Sequence, residues 1–202
     1  MKNSKWSTKS TYSSTVHVVL FVSRNKDNFN FPEFKERRKA FITELPADSE
    51  ILQHEFEAFV NAGEVGERSR MYYSVNARDM KKTYTQLLHF LIDNPGFNLC
   101  SIQSKLAGIA MKKENATEEK WMYDFDIDSD EDGKKFALDI LRAAKLDSEE
   151  PIEVEVHRTP GGYHFICSRP FDSREIYSRW DTNLITLMRD GMYLYSWKNR
   201  EK

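Results

Sequence analysis

Apolar residues are grouped along this chain in short runs whose spacing changes from one segment to the next. TVHVVLFVSR (15–24) is almost continuous in β-branched and aliphatic residues, which predicts a buried strand. In EFKERRKAFITEL (33–45), Phe34, Phe41 and Leu45 share one helical face, and Pro32 stands near the start, where its missing N–H costs little, so a helix is expected. RMYYSVNAR (70–78) predicts a second strand that runs into Asp79, a good N-cap for the helix MKKTYTQLLHFLID. Asn94-Pro95-Gly96 should stop that helix. Leu99, Ile102, Leu106 and Ile109 then recur at helical spacing, and MKKENATEEK (111–120) is polar enough to be a linker.

Further along, WMYDFDID (121–128) alternates apolar and acidic positions as a half-buried strand does, and an Asp/Ser/Glu-rich loop is expected to lead to Gly133. KKFALDILRAAKL sets Phe136, Ile140 and Ala144 on one helical face. IEVEVHRTP and YHFICSRPF predict strands joined through Pro160-Gly161-Gly162, and NLITLM with MYLYSW predicts a final hairpin around Arg189-Asp190-Gly191. The order β-α-β-β, with helices on one side of a mixed or antiparallel sheet, predicts an α+β, palm-like (RRM-like) core over 121–202. An N-terminal α/β lobe over 15–110 would precede it within one domain, and residues 1–14 are expected to be a flexible tail.

Composition narrows the class. No run approaches the ~18 consecutive apolar residues of a membrane span, and the polar, basic start lacks the apolar centre of a secretory signal. Cys100 and Cys167 are too few for a disulfide framework or a cysteine zinc site, which points to a reducing cytoplasm. The net charge of −2 conceals a focus: residues 121–150 hold ten acids against four bases, a balance of −6 that leaves +4 elsewhere. Such a focus suits divalent cations or a solvated loop, and the chain lacks the strongly basic character of a dedicated duplex-DNA binder.

The alternating acids carry the chemistry. Asp124, Asp126 and Asp128 would share one face of their strand, where mutual repulsion is offset if a divalent cation sits among them. Mg²⁺ and Mn²⁺ take such oxygen ligands, often together with substrate phosphates. The plain alternative is an edge strand with an acidic outer face. Thr159-Pro160-Gly161-Gly162-Tyr163-His164 would bring His164 onto a neighbouring strand, with Gly162 giving a phosphate close access to the backbone and Arg158 just before the turn. His157 alternates away from Arg158 and is the poorer candidate. Arg70, Asn76 and Arg78 end a strand before a helix N-terminus, a common place for phosphate contacts or for simple capping. Asp128, Asp130, Asp132 and Gly133 also fit the opening of an EF-hand loop, but Lys135 and Asp139 occupy positions that expect an apolar residue and Glu.

Met122-Tyr123-Asp124-Phe125-Asp126, Thr159–His164 and Tyr72–Arg78 together resemble motifs of the archaeo-eukaryotic primase (primase–polymerase) superfamily, over roughly residues 70–197. The resemblance implies divalent metal ions, a bound nucleoside triphosphate and nucleotidyl transfer on a single-stranded DNA or RNA template, with a replication protein as a possible partner. It implies that Asp124 and Asp126 hold the metals, that Asp128 is an outlying ligand, and that His164 contacts the triphosphate. It also implies a third carboxylate on a later strand. The expected position falls near Thr186, which is no acid, and Asp181 and Asp190 are the substitutes. Two alternatives stand beside this reading: a non-catalytic relative that binds nucleic acid or a partner, and a metal-dependent nuclease or phosphodiesterase.

Overall fold

A computed structural model describes residues 15–201 of the 202-residue chain, so the segment 1–14 expected to be a flexible tail lies outside the described residues. The fold is α+β, built on two antiparallel sheets. The first contains β1 (Thr15–Ser23), β2 (Arg37–Thr43), β3 (Arg68–Ser74), β4 (Arg78–Asp79) and β9 (Met192–Asn199), in the order β2-β1-β3-β9 with β4 on the start of β1. The second contains β5 (Trp121–Phe125), β6 (Val154–Thr159), β7 (Gly162–Cys167) and β8 (Ile185–Met188), in the order β6-β7-β5-β8. Among the described residues every strand pairing is antiparallel, so neither sheet is mixed.

Helices cover both faces of the first sheet. α1 (Glu50–Asn61) buries Leu52, Phe56 and Val60 at four-residue intervals against Phe21, Met71 and Tyr73. α3 (Ile102–Ala110) sets Ala107 and Ala110 against Val18 on the other face. α2 (Met80–Asp93) starts where expected, because the Asp79 side chain accepts from the Lys82 backbone N–H at 2.8 Å.

In the second sheet both helices lie on one face, as expected. α4 (Asp130–Asp147) buries Phe136, Ile140 and Ala144, and Phe136 stacks on Phe125 with centroids 4.5 Å apart. Truncating Phe136 would cost about 3–5 kcal/mol, the usual range for a buried aromatic. α5 (Arg174–Arg179) adds Ile176 to the same core.

Four expectations are corrected. Residues 37–43 form a strand, not part of a helix over 33–45, because they pair with β1 along its length. The extended segment at Trp121 ends at Phe125, short of Asp128. The acidic run after it is the first turn of α4, where Asp130, Glu131 and Asp132 complement the helix dipole and Ser129 caps the Asp132 N–H at 3.2 Å. Finally, β8 and β9 form no hairpin: β8 pairs with β5, while β9 crosses to β3. The C-terminal half therefore contributes an edge strand to the sheet built by the N-terminal half.

Candidate active site

Antiparallel register decides which side chains meet. His164 lies directly opposite Asp124 on the neighbouring strand, and Thr186 lies opposite Asp124 on the other side. Opposed residues point to the same face, so Asp124, His164 and Thr186 share the face that α4 leaves uncovered. His164 Nε2 is 3.3 Å from an Asp124 carboxylate oxygen, and His164 Nδ1 accepts the Leu194 backbone N–H at 3.1 Å. A ring nitrogen that accepts a backbone N–H carries no proton, so the proton sits on Nε2, the nitrogen nearer the Asp124 carboxylate. His164 is 7% exposed and Asp124 is half-buried.

Asp124 and His164, though not Thr186, line a cleft of about 440 Å³ between the two sheets. Asp124 and Asp126 form one wall with the turn Thr159-Pro160-Gly161 and His164, while Arg24, Lys26, Arg70 and Tyr72 form the other. Asp126 follows β5 directly, held by its backbone N–H to Leu184 O at 2.9 Å. Its carboxylate is exposed and makes no hydrogen bond or ion pair among the described residues. Asp27 sets the cationic wall: its carboxylate takes the Arg70 Nε at 2.7 Å and the Arg24 Nε at 2.8 Å. Burial alone would raise the Asp27 carboxyl, and the hydrogen bonds from the Arg24 and Arg70 guanidiniums overcome it and hold the group below the usual carboxylate range.

Other candidates lie elsewhere. Arg158 pairs in register with Tyr163 and so points to the α4 face, away from His164, which is opposed instead by His157. There Arg158 stacks on the Tyr163 ring at 4.7 Å and ion-pairs with Asp130 at 2.6 Å and with Asp128. Asp128 is thus separated from Asp124 and Asp126. Arg78 is fully buried, with its guanidinium on Asp190 at 2.7 and 2.8 Å, and Asn76 bridges Asp190 and the Lys120 backbone. Asp181 accepts from the Asn183 backbone and side chain, both at 2.9 Å. Neither Asp181 nor Asp190 borders the cleft.

Gly162 serves the chain itself: a Cβ there would come within 2.0 Å of Phe125 O, so only glycine lets the turn press against the end of β5. Gly161 is the residue that borders the cleft. Arg24, Lys26 and Asp27 escaped the sequence reading, although SRNKD directly after the first apolar run was a signal of charge at a strand end.

Among the described residues no three His, Cys, Asp or Glu side chains are grouped to enclose a metal. The pair Asp124 and Asp126, one of them with no competing partner, instead fits a hard cation that takes one or two carboxylates and completes its shell with water and substrate phosphate. No helix among the described residues is long and apolar enough to cross a membrane. Comparison of the chain with family models, curated proteins and solved structures returns no match.

Proposed function

We propose that the cleft binds a nucleoside triphosphate with a divalent cation and transfers its nucleotide to a strand on a single-stranded template. The observation that carries this reading is the facing of two carboxylates by Arg24, Lys26 and Arg70 across one cleft, a wall that stays net positive although Asp27 pairs with both guanidiniums. A polyphosphate answers both walls at once, because its oxygens suit guanidinium forks and also share a cation with carboxylates. Its size accords with an ordinary ligand cleft of roughly 300–1,000 Å³.

In this scheme Asp124 and Asp126 hold Mg²⁺ or Mn²⁺, and Arg24, Lys26 and Arg70 neutralise the phosphates and orient the leaving pyrophosphate. His164 works through Asp124: its Nε2, 3.3 Å from one carboxylate oxygen, would steady that oxygen while the Leu194 N–H locks the ring. The cation, when bound, supplies charge neutralisation at the reacting phosphate. The attacking hydroxyl would form a bond to the α-phosphorus as the bond to pyrophosphate breaks, its proton passing to solvent. The order β-α-β-β-α-β from β5 to β8, with spatial order β6-β7-β5-β8, is that of a split βαβ fold and supports a palm-like (RRM-like) core.

Thr186 favours a second reading, nucleotide binding without transfer, because the position opposite Asp124 on β8 carries a hydroxyl in place of the third carboxylate. Labelled nucleotide incorporation on a single-stranded template with Mn²⁺ separates the two, with Mn²⁺ binding followed by electron paramagnetic resonance. Transfer predicts incorporation that disappears in Asp124→Ala/Asp126→Ala together with Mn²⁺ binding. Mn²⁺-dependent triphosphate binding without incorporation would establish the second reading, and strand cleavage without triphosphate would replace both with a nuclease.

A further inference from the structure

The edge-on meeting of β9 with the second sheet leaves a concavity on each side of β9. Leu194 and Tyr72 are paired in register and face the carboxylate cleft, so Tyr193 and Tyr73, also paired, face the opposite way. On that side lies a second cavity of about 350 Å³, bordered by His17, Glu44, Tyr73, Lys120, Glu155 and Tyr193.

Three contacting rings, His17 and the mostly buried Tyr73 and Tyr193, border this cavity, and His157 lies behind Tyr193. His17 stacks on Tyr73 with centroids 4.6 Å apart, Tyr73 meets Tyr193 edge-on at 6.0 Å, and Tyr193 lies 4.5 Å from His157. Each tyrosine is backed by an imidazole, and the Tyr73 hydroxyl donates to Leu45 O at 2.8 Å, so the wall is preformed. His17 Nδ1 donates to Ser74 O at 3.2 Å, which leaves Nε2 as an acceptor.

Burial pushes both His17 and His157 below the ordinary imidazole value, so both rings are neutral at neutral pH and add no positive charge. The rim is acidic. Glu44 and Glu155 are exposed there, whereas the ammonium of Lys120 is engaged by Glu118 at 3.0 Å. Asp48 adds to the negative field, since it joins burial in pushing the Tyr73 and Tyr193 hydroxyls upward.

We propose that this cavity binds an organic cation, a guanidinium or alkylammonium group as carried by an arginine side chain or a polyamine. Tyrosine faces attract such cations, and the rim carboxylates offer charge-assisted hydrogen bonds to their N–H groups.

The test is an amide NMR titration of the full chain with N-acetyl-arginine amide, with spermidine, and with N-acetyl-citrulline amide as an uncharged isostere. Saturable shifts at Ser74, Val75, Lys120 and Ile166 are expected with one or both cations and not with citrulline amide. Tighter binding of the arginine compound would point to a basic side chain of a protein partner, and tighter binding of spermidine to a polyamine. Glu44→Gln and Glu155→Gln alter exposed side chains, and each should weaken binding roughly two- to fivefold, the worth of an exposed ion pair. Equal shifts from citrulline amide, an unchanged affinity in the double variant, or no saturable shift with either cation would overturn the proposal.

Discussion

His164 Nδ1 accepts the backbone N–H of Leu194 across 3.1 Å, joining the middle of one sheet to the edge strand of the other. The other nitrogen of the same ring lies 3.3 Å from an Asp124 carboxylate oxygen. Position and chemistry are separable here by substitution. His164→Asn keeps an acceptor near the Nδ1 position and loses the reach to Asp124, whereas His164→Ala loses both. Alanine should cost about 1–3 kcal/mol in urea unfolding by stranding a buried N–H, and asparagine less. Both variants should lose nucleotide incorporation, and an active His164→Asn would remove His164 from the proposed scheme.

Asp190 is accounted for by Arg78, whose guanidinium is fully buried against it. Asp190→Ala leaves that charge without its partner and should destabilise the fold by about 3–5 kcal/mol. Denaturant unfolding at neutral pH checks this. A variant as stable as the parent would show that the pair contributes nothing to the junction.

Gly162→Ala sets a methyl group against the backbone at Phe125 and should cost about 2–4 kcal/mol. Gly161→Ala meets only an Asp126 oxygen at 3.8 Å and should stay within about 0.5 kcal/mol of the parent. Equal thermal midpoints for the two variants would contradict the close approach.

Stability should fall on mild acidification. His17 and His157 are both depressed, each mainly by burial, which outweighs the Ser74 carbonyl for one and Glu155 for the other. The unfolded chain therefore binds more protons than the folded one below about pH 6.5. The stabilisation is complete above that pH and is lost as pH drops toward the depressed folded values. Urea midpoints at pH 7.5, 6.5 and 5.5 should decrease in that order, and a His17→Gln/His157→Gln variant should give a flatter profile.

Thr186 offers a gain-of-function test, because it is exposed on β8 directly opposite Asp124. Thr186→Asp would place a third carboxylate on the face of Asp124 and should tighten Mn²⁺ binding roughly tenfold. Unchanged Mn²⁺ affinity would argue that the ion is not held on this face.

Much of the second sheet was legible because its local signals agree with its packing. WMYDF alternates as a strand with one wet face, Phe136, Ile140 and Ala144 keep a helical period, and Pro-Gly-Gly marks the turn that sets His164 opposite Asp124. β2 was obscured because Glu, Lys, Arg and Ala favour helices locally, and pairing with β1 overrides that preference. α1 went unread although Leu52, Phe56 and Val60 carry its period and Ser49 precedes it. The divergence of β8 and β9 was not readable, since periodicity marks a strand and leaves its partner unstated. What separates them is long-range: Arg78 grips Asp190, and the Val75 N–H donates to Gly191 O at 2.9 Å. Arg158 shows the same limit, because one residue of register decides whether it meets the cleft or the helix.

The crossing of β9 orders events in time as well as space. A chain emerging from the ribosome can complete the second sheet through β8, yet the first sheet lacks its edge until Met192–Asn199 has been made. The same strand delivers the N–H that locks His164. A chain interrupted before that strand would carry both aspartates and the histidine but leave the ring unanchored and the cleft without Met192 and Leu194.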